Sequence, residues 1–137
     1  MNRRDALKHS AAVTGLLLAA GLLPRAALAA YNQTAFDAKT VADVVKAMGA
    51  AAPEESKDVS LTAPDIAENG AVVPIGAATT LANVKRLLVL VEKNPNTLVA
   101  AFDVNDAVEP NFLTRAKLGQ SSDVYAVAIT ADGKALF

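Results

Sequence analysis

Few residues in this sequence have the type and spacing to do chemistry, and they sit in three places. "DVNDAVEP" sets Asp103, Asp106 and Glu109 at three-residue intervals. Carboxylates so grouped can share acid–base work or, with backbone carbonyls, hold calcium. The loop lacks EF-hand ligand spacing and the glycine that hand needs at its sharp turn, so a solvated acidic loop is the ordinary reading. "NVKRLL" joins Lys85 and Arg86, a pair able to hold an anion but placed at the entry to a strand. Ser121, Ser122 and Asp123 offer hydroxyls beside a carboxylate. With no histidine to serve as base, a turn before the next strand is the simpler reading.

What is missing narrows the chemistry further. The 137 residues contain no cysteine, and their one histidine is His9, inside a segment expected to be removed. The mature chain then has no thiol nucleophile, no Ser-His-Asp triad and no zinc site of the usual ligand types. No catalytic residue, metal ligand or cofactor is assigned, and the chain reads as a non-enzyme.

The removable segment has the three parts of an export signal. "MNRRDALKHS" is short and basic. "AAVTGLLLAAGLL" is apolar and uncharged. "PRAALAA" carries Ala27 and Ala29 in the small-x-small arrangement of a signal peptidase site. The apolar run would make a helix of roughly 20 Å, too short for a span, so cleavage rather than anchoring is expected. Arg3 and Arg4 look like the pair of a twin-arginine signal, although Ala6 stands where phenylalanine or leucine is usual. Arg25 fits that route, because a basic residue near the cleavage site discourages the ordinary one. The expected location is the periplasm, and residues 1–29 are read as the leader.

Four of the 13 basic residues and one of the 14 acidic residues leave with the leader, so the remainder carries a net charge of −4. No basic run survives, which argues against nucleic acid or an anionic membrane as partner. There is no tryptophan, and aromatics make up 4% of the chain. A core built from small aliphatic side chains leaves a domain of this size modestly stable, so an obligate protein partner is plausible.

Residues 30–56 read as an N-terminal helical segment. The spacing predicts one helix over Thr34–Met48, with Thr34 and Asp37 as a capping box and Gly49 as its stop. Phe36, Val41, Val44, Val45 and Met48 form its apolar stripe.

From residue 57 the apolar period changes to two. Strands are expected at Val59–Ala63, Ala71–Ile75, Val84–Lys93, Thr97–Val104, Phe112–Leu118, Asp123–Thr130 and from Lys134. Pro74 cannot donate to a ladder, which predicts an edge or a bulge there. Asn69 and Gly70 are expected to turn the chain with positive φ. Ala131-Asp132-Gly133 is a hairpin turn. Leu87, Val89 and Val91 oppose Leu88 and Leu90, so Val84–Lys93 should be buried on both faces. Its second cover is the helix or another protein. The pattern is mainly β: an antiparallel β-sandwich of immunoglobulin type over residues 57–137, preceded by one α-helix.

"IAENGAVVPI", "VEKNPNTLVAAFDV" and "TRAKLGQSSDVYAVAITADGK", together with the leader and the helix, resemble the SoxY family of sulfur-carrier proteins of bacterial thiosulfate oxidation. The resemblance runs over essentially the whole chain. It implies an immunoglobulin-like sandwich, a heterodimer with the small β protein SoxZ, and Sox enzymes that act on a carrier tail. In the family, sulfur intermediates are bound covalently to one cysteine in a Gly-Gly-Cys-Gly-Gly tail. Glycines let such a tail enter narrow channels, and its thiolate accepts the sulfur group. Neither tail nor cysteine is in this sequence. The resemblance therefore places them beyond Phe137, with the final strand cut short and the Asp123–Thr130 edge left open. The alternative is an exported sandwich that only binds partners.

Overall fold

The computed structural model describes residues 2–19 and 31–137. Two compact units result, residues 1–31 and 32–137. In the first, α1 spans Arg3–Ala19, with Arg3 and Arg4 exposed. Among the described residues no helix is long and apolar enough to cross a membrane.

The second unit opens with two short helices where one is expected. α2 spans Gln33–Asp37 and α3 spans Val41–Ala47. The break lies at Ala38, which is extended (φ −63°, ψ 142°). The caps explain it. The Asn32 side chain accepts from Ala35 N at 3.1 Å and starts α2. The Thr40 hydroxyl accepts from Asp43 N at 3.1 Å and donates to Asp43 Oδ2 at 2.7 Å, so a side-chain cap forms at Thr40 rather than the capping box expected at Thr34. Gly49, at φ 79°, ends the helical layer as expected.

Eight strands follow: β1 (Pro53–Glu54), β2 (Val59–Thr62), β3 (Val73–Thr79), β4 (Val84–Val91), β5 (Leu98–Asp103), β6 (Asn111–Ala116), β7 (Val124–Thr130) and β8 (Ala135–Leu136). They form a five-stranded sheet, β1-β8-β7-β4-β5, and a three-stranded sheet, β2-β3-β6. The chain is thus mainly β, as the period of two implies. Seven of the strands overlap expected segments, although β3 runs Val73–Thr79 where Ala71–Ile75 is expected. β1 is new, because a two-residue strand beginning with proline has no periodicity to show. It pairs parallel to β8, while β8 pairs antiparallel to β7 through Ala128 and Ile129. The far end of the β7 edge, expected to lie open, is therefore covered.

Leu87, Val89 and Val91 point between the sheets and pack with Val73, Ile75, Ala77, Ala126 and Ala128. Leu88 and Leu90 point the other way and pack with Ala35, Val44, Val45, Val127 and Ile129. The second cover of β4 is thus α2 and α3, and the central strands β4 and β7 are buried on both faces.

Pro74 is neither at an edge nor at a bulge. It lies in β3, the centre of the small sheet, opposite Arg115. The hydrogen-bond phase accounts for this. Thr80 N donates to Asp58 O at 3.0 Å, so the even residues of β3 turn their backbone groups toward β2. β2 stops at Thr62, opposite Gly76. The missing N–H of Pro74 faces a place where β2 has already ended, and no ladder bond is lost.

Candidate functional site

The stretch from Ile66 to Ile75 lies at one end of the sandwich, where three loops meet. Ala71 N donates to Asn69 Oδ1 at 3.0 Å and Val72 N to Asn69 O at 3.1 Å, a turn built on the asparagine side chain. Gly70 does not take positive φ; among the described residues only Gly49 and Gly133 do. Its role is close approach. Leu118 N donates to Gly70 O at 2.8 Å, and a Cβ on Gly70 would lie 2.9 Å from Leu118 O. The 63–70 and 117–123 loops are clamped at that point.

A third loop joins them. Asn94 Nδ2 donates to Lys117 O at 2.9 Å, and Lys93 N donates to Ser122 Oγ at 2.9 Å. Ser122 Oγ in turn donates to Asp123 O at 3.0 Å. Both roles of that hydroxyl are filled, which makes it a turn residue rather than a nucleophile. Between the clamped loops is a cavity of about 460 Å³, walled by Pro64, Ile66, Val73, Leu118 and Val124, with Asp65, Gln120, Ser121 and Ser122 as its polar groups. A larger recess of about 820 Å³ lies along α2 and α3 and is wide open to solvent. The loop-end cavity offers shape, apolar wall and a few hydrogen-bonding groups. It holds no group able to attack or to relay a proton through imidazole or thiol.

The other candidate residues are not brought together there. Asp103 pairs with Arg86, Nε to Oδ1 at 2.5 Å, which ties β4 to β5. Arg86 also donates toward the Met48 sulfur at 3.3 Å, so it pins the helical layer rather than waiting for an anion. Lys85, Asp106 and Glu109 are exposed. Among the described residues no three of His, Cys, Asp and Glu are placed to hold a metal ion. Arg3 and Arg4 belong to the separate N-terminal unit. Ala27 and Ala29 lie outside the described residues.

Two side chains have shifted ionisation. Burial, then the charges of Glu92 and Asp123, raise the Tyr125 phenol above its ordinary pKa. Tyr125 packs edge-on against Phe137 with ring centres 5.8 Å apart. The hydroxyl of Thr130, donating to Asp132, lowers that carboxyl below its usual range, with the Lys134 charge in support.

Sequence reasoning placed the Ser121–Asp123 turn and the Asn69–Gly70 crossing, but not their meeting. Gln120 and Ser121 carry no local signal of a cavity, because its other wall is some fifty residues upstream.

The profile of the family described as sulfur oxidation protein SoxY matches residues 44–137. The chain belongs to the SoxY family. A solved structure, the sulfur carrier protein SoxY from Chlorobium limicola f thiosulfatophilum, is similar with a TM-score of 0.55 and 30% sequence identity. That likeness covers 61% of this chain and 76% of the SoxY chain. No curated protein matches. The matched residues take in the C-terminal part of α3, both sheets and all three clamped loops.

Proposed function

We propose that this chain is the sulfur-carrying subunit of a periplasmic thiosulfate-oxidation system. The observation that carries this reading is the SoxY match over residues 44–137, supported by likeness to a protein described as a sulfur carrier. The sandwich is then a handle. Sulfur intermediates are held covalently on a cysteine thiolate, and other enzymes perform the chemistry on them.

This sequence contains no cysteine. The reading therefore requires a thiol C-terminal to Phe137, in a glycine-flanked tail able to enter a partner's channel. It also includes a SoxZ-type β subunit as heterodimer partner, Sox enzymes acting on the tail, and export by the twin-arginine route through Arg3 and Arg4 with cleavage after Ala29. No residue of this chain acts as a catalyst in it.

The test has two parts. The coding DNA is read past the codon for Phe137, and the protein is isolated from thiosulfate-grown cells for intact-mass analysis before and after a thiol reductant. The expected result is a frame continuing to a glycine-flanked cysteine and a sulfur adduct that the reductant removes. An immediate stop codon with no adduct would leave the second reading, an exported sandwich that works only by binding.

A further inference from the structure

Met48 caps the C-terminus of α3 and is half-buried where the helical layer meets β4. It packs against the cluster that contains Val44, Val45 and Leu88. Its sulfur, however, faces nitrogen donors. Arg86 Nη1 donates toward Met48 Sδ at 3.3 Å, and Asn32 Nδ2 lies 4.0 Å from the same atom. Other contacts hold both donors in place. Arg86 Nε is paired with Asp103 Oδ1 at 2.5 Å. Asn32 accepts from Ala35 N through Oδ1 at 3.1 Å and donates from Nδ2 to Ala47 O at 2.7 Å. Those two bonds fix which way the amide points and leave the second N–H of Nδ2 for the sulfur.

A thioether is a weak acceptor. Two directed N–H groups, one of them cationic, offer more than it can use. A sulfoxide oxygen accepts strongly, and the two distances say where one fits. At 3.3 Å, Arg86 is in contact with the sulfur and leaves no space between them. At 4.0 Å, the Asn32 side has a gap. An oxygen bonded to the sulfur there would meet Nδ2 at about the ordinary N–H···O distance of 2.9 Å.

We propose that Met48 is a reversible oxidation site, at which hydrogen peroxide converts the thioether to one of the two sulfoxide epimers. The sulfur lone pair on the Asn32 side attacks a peroxide oxygen. An S–O bond forms and the O–O bond breaks. The attached hydroxyl then gives its proton to the leaving hydroxide, which departs as water. The sulfur loses two electrons and the peroxide gains them. The new oxygen accepts from Asn32 Nδ2, and Arg86 keeps its place beside the sulfur. In an apolar contact such a polar product disrupts packing; here donors already in position receive it. The two lone pairs face different surroundings, so the fold selects the epimer. Sulfoxide reductases act on one epimer each, and the choice therefore decides which kind restores the thioether. No step uses a carrier thiol, so the site stands apart from the carrier reading.

The test treats the full chain with hydrogen peroxide, folded and in urea. Peptide mapping separates Met48 from Met1, the other methionine of the sequence. Epimer-specific reductases then read the product. The expected result is one added oxygen at Met48 in the folded chain, with one epimer in excess by on the order of 10-fold, as a single hydrogen bond implies. In urea the epimers should be nearly equal. Asn32→Asp and Asn32→Ser keep a cap for α2 but remove the donor, and both should abolish the excess. Circular dichroism checks that they fold, and the folded-against-urea comparison of the parent decides even where one does not. A Met48 that stays unoxidised in the folded chain overturns the proposal. So do equal epimers in the folded chain, or an excess that survives both substitutions.

Discussion

The two sheets of this protein are made of similar strands but live in different surroundings. β4 and β7 have apolar residues at successive positions, because α2 and α3 cover one face and the small sheet covers the other. β6 alternates strictly: Phe112, Thr114 and Ala116 face inward, and Asn111, Leu113 and Arg115 face water. A layer covered twice must be apolar throughout. A layer covered once has a spare face, and that face is where binding can be added without disturbing the core.

The sharpest way to break this contrast is to delete a leucine from each side. Leu88, fully buried beneath the helices, should cost about 2–5 kcal/mol as Leu88→Ala. Leu113→Ala, on the exposed face of β6, should stay within about 0.5 kcal/mol. Denaturant titration of both variants decides the matter, and equal losses would mean that the small sheet is not the bare one.

The clamp at the loop end comes next in size. Gly70→Ala must push Leu118 O away from a 2.9 Å contact and should cost about 1–3 kcal/mol. Gly119→Ala, with nothing within 4 Å, should be near neutral. If the two behave alike in thermal melts, the loops are not held together at Gly70.

A third comparison concerns the cover itself. Thr40→Ala removes the cap of α3 and should cost about 1 kcal/mol, whereas Thr34→Ala, exposed within α2, should cost far less. Helix loss followed by hydrogen exchange would show whether the layer loosens from the α3 end.

The smallest effect is at the β7–β8 hairpin. Asp132 has a lowered pKa in the folded state, so its contribution is present above the unfolded carboxylate value and fades as pH falls through the lowered one. Asp132→Asn should therefore leave melting at acid extremes unchanged and reduce it slightly near neutrality. A variant with the same melting temperature as the parent across that range would remove the Thr130–Asp132 contact from the account.

Local signals were legible where the chain settles the matter by itself. Gly133, at φ 84°, makes the hairpin that its sequence announces. The alternation of Leu87–Val91 correctly divides those residues between two cores. The Thr-x-x-Asp signal was also real, but it was read at Thr34–Asp37, whereas the cap forms at Thr40–Asp43. Only the packing of Val44 and Val45 under the sheet selects where the helix must restart.

The sequence by itself determined the class of fold and the family resemblance, because composition and period are properties of neighbours along the chain. The tertiary structure alone decided the cover of the large sheet, the harmless place of Pro74 and the clamp at Gly70. Each depends on where a partner strand ends or how closely a distant backbone approaches, and no local pattern records the distance between residues fifty positions apart.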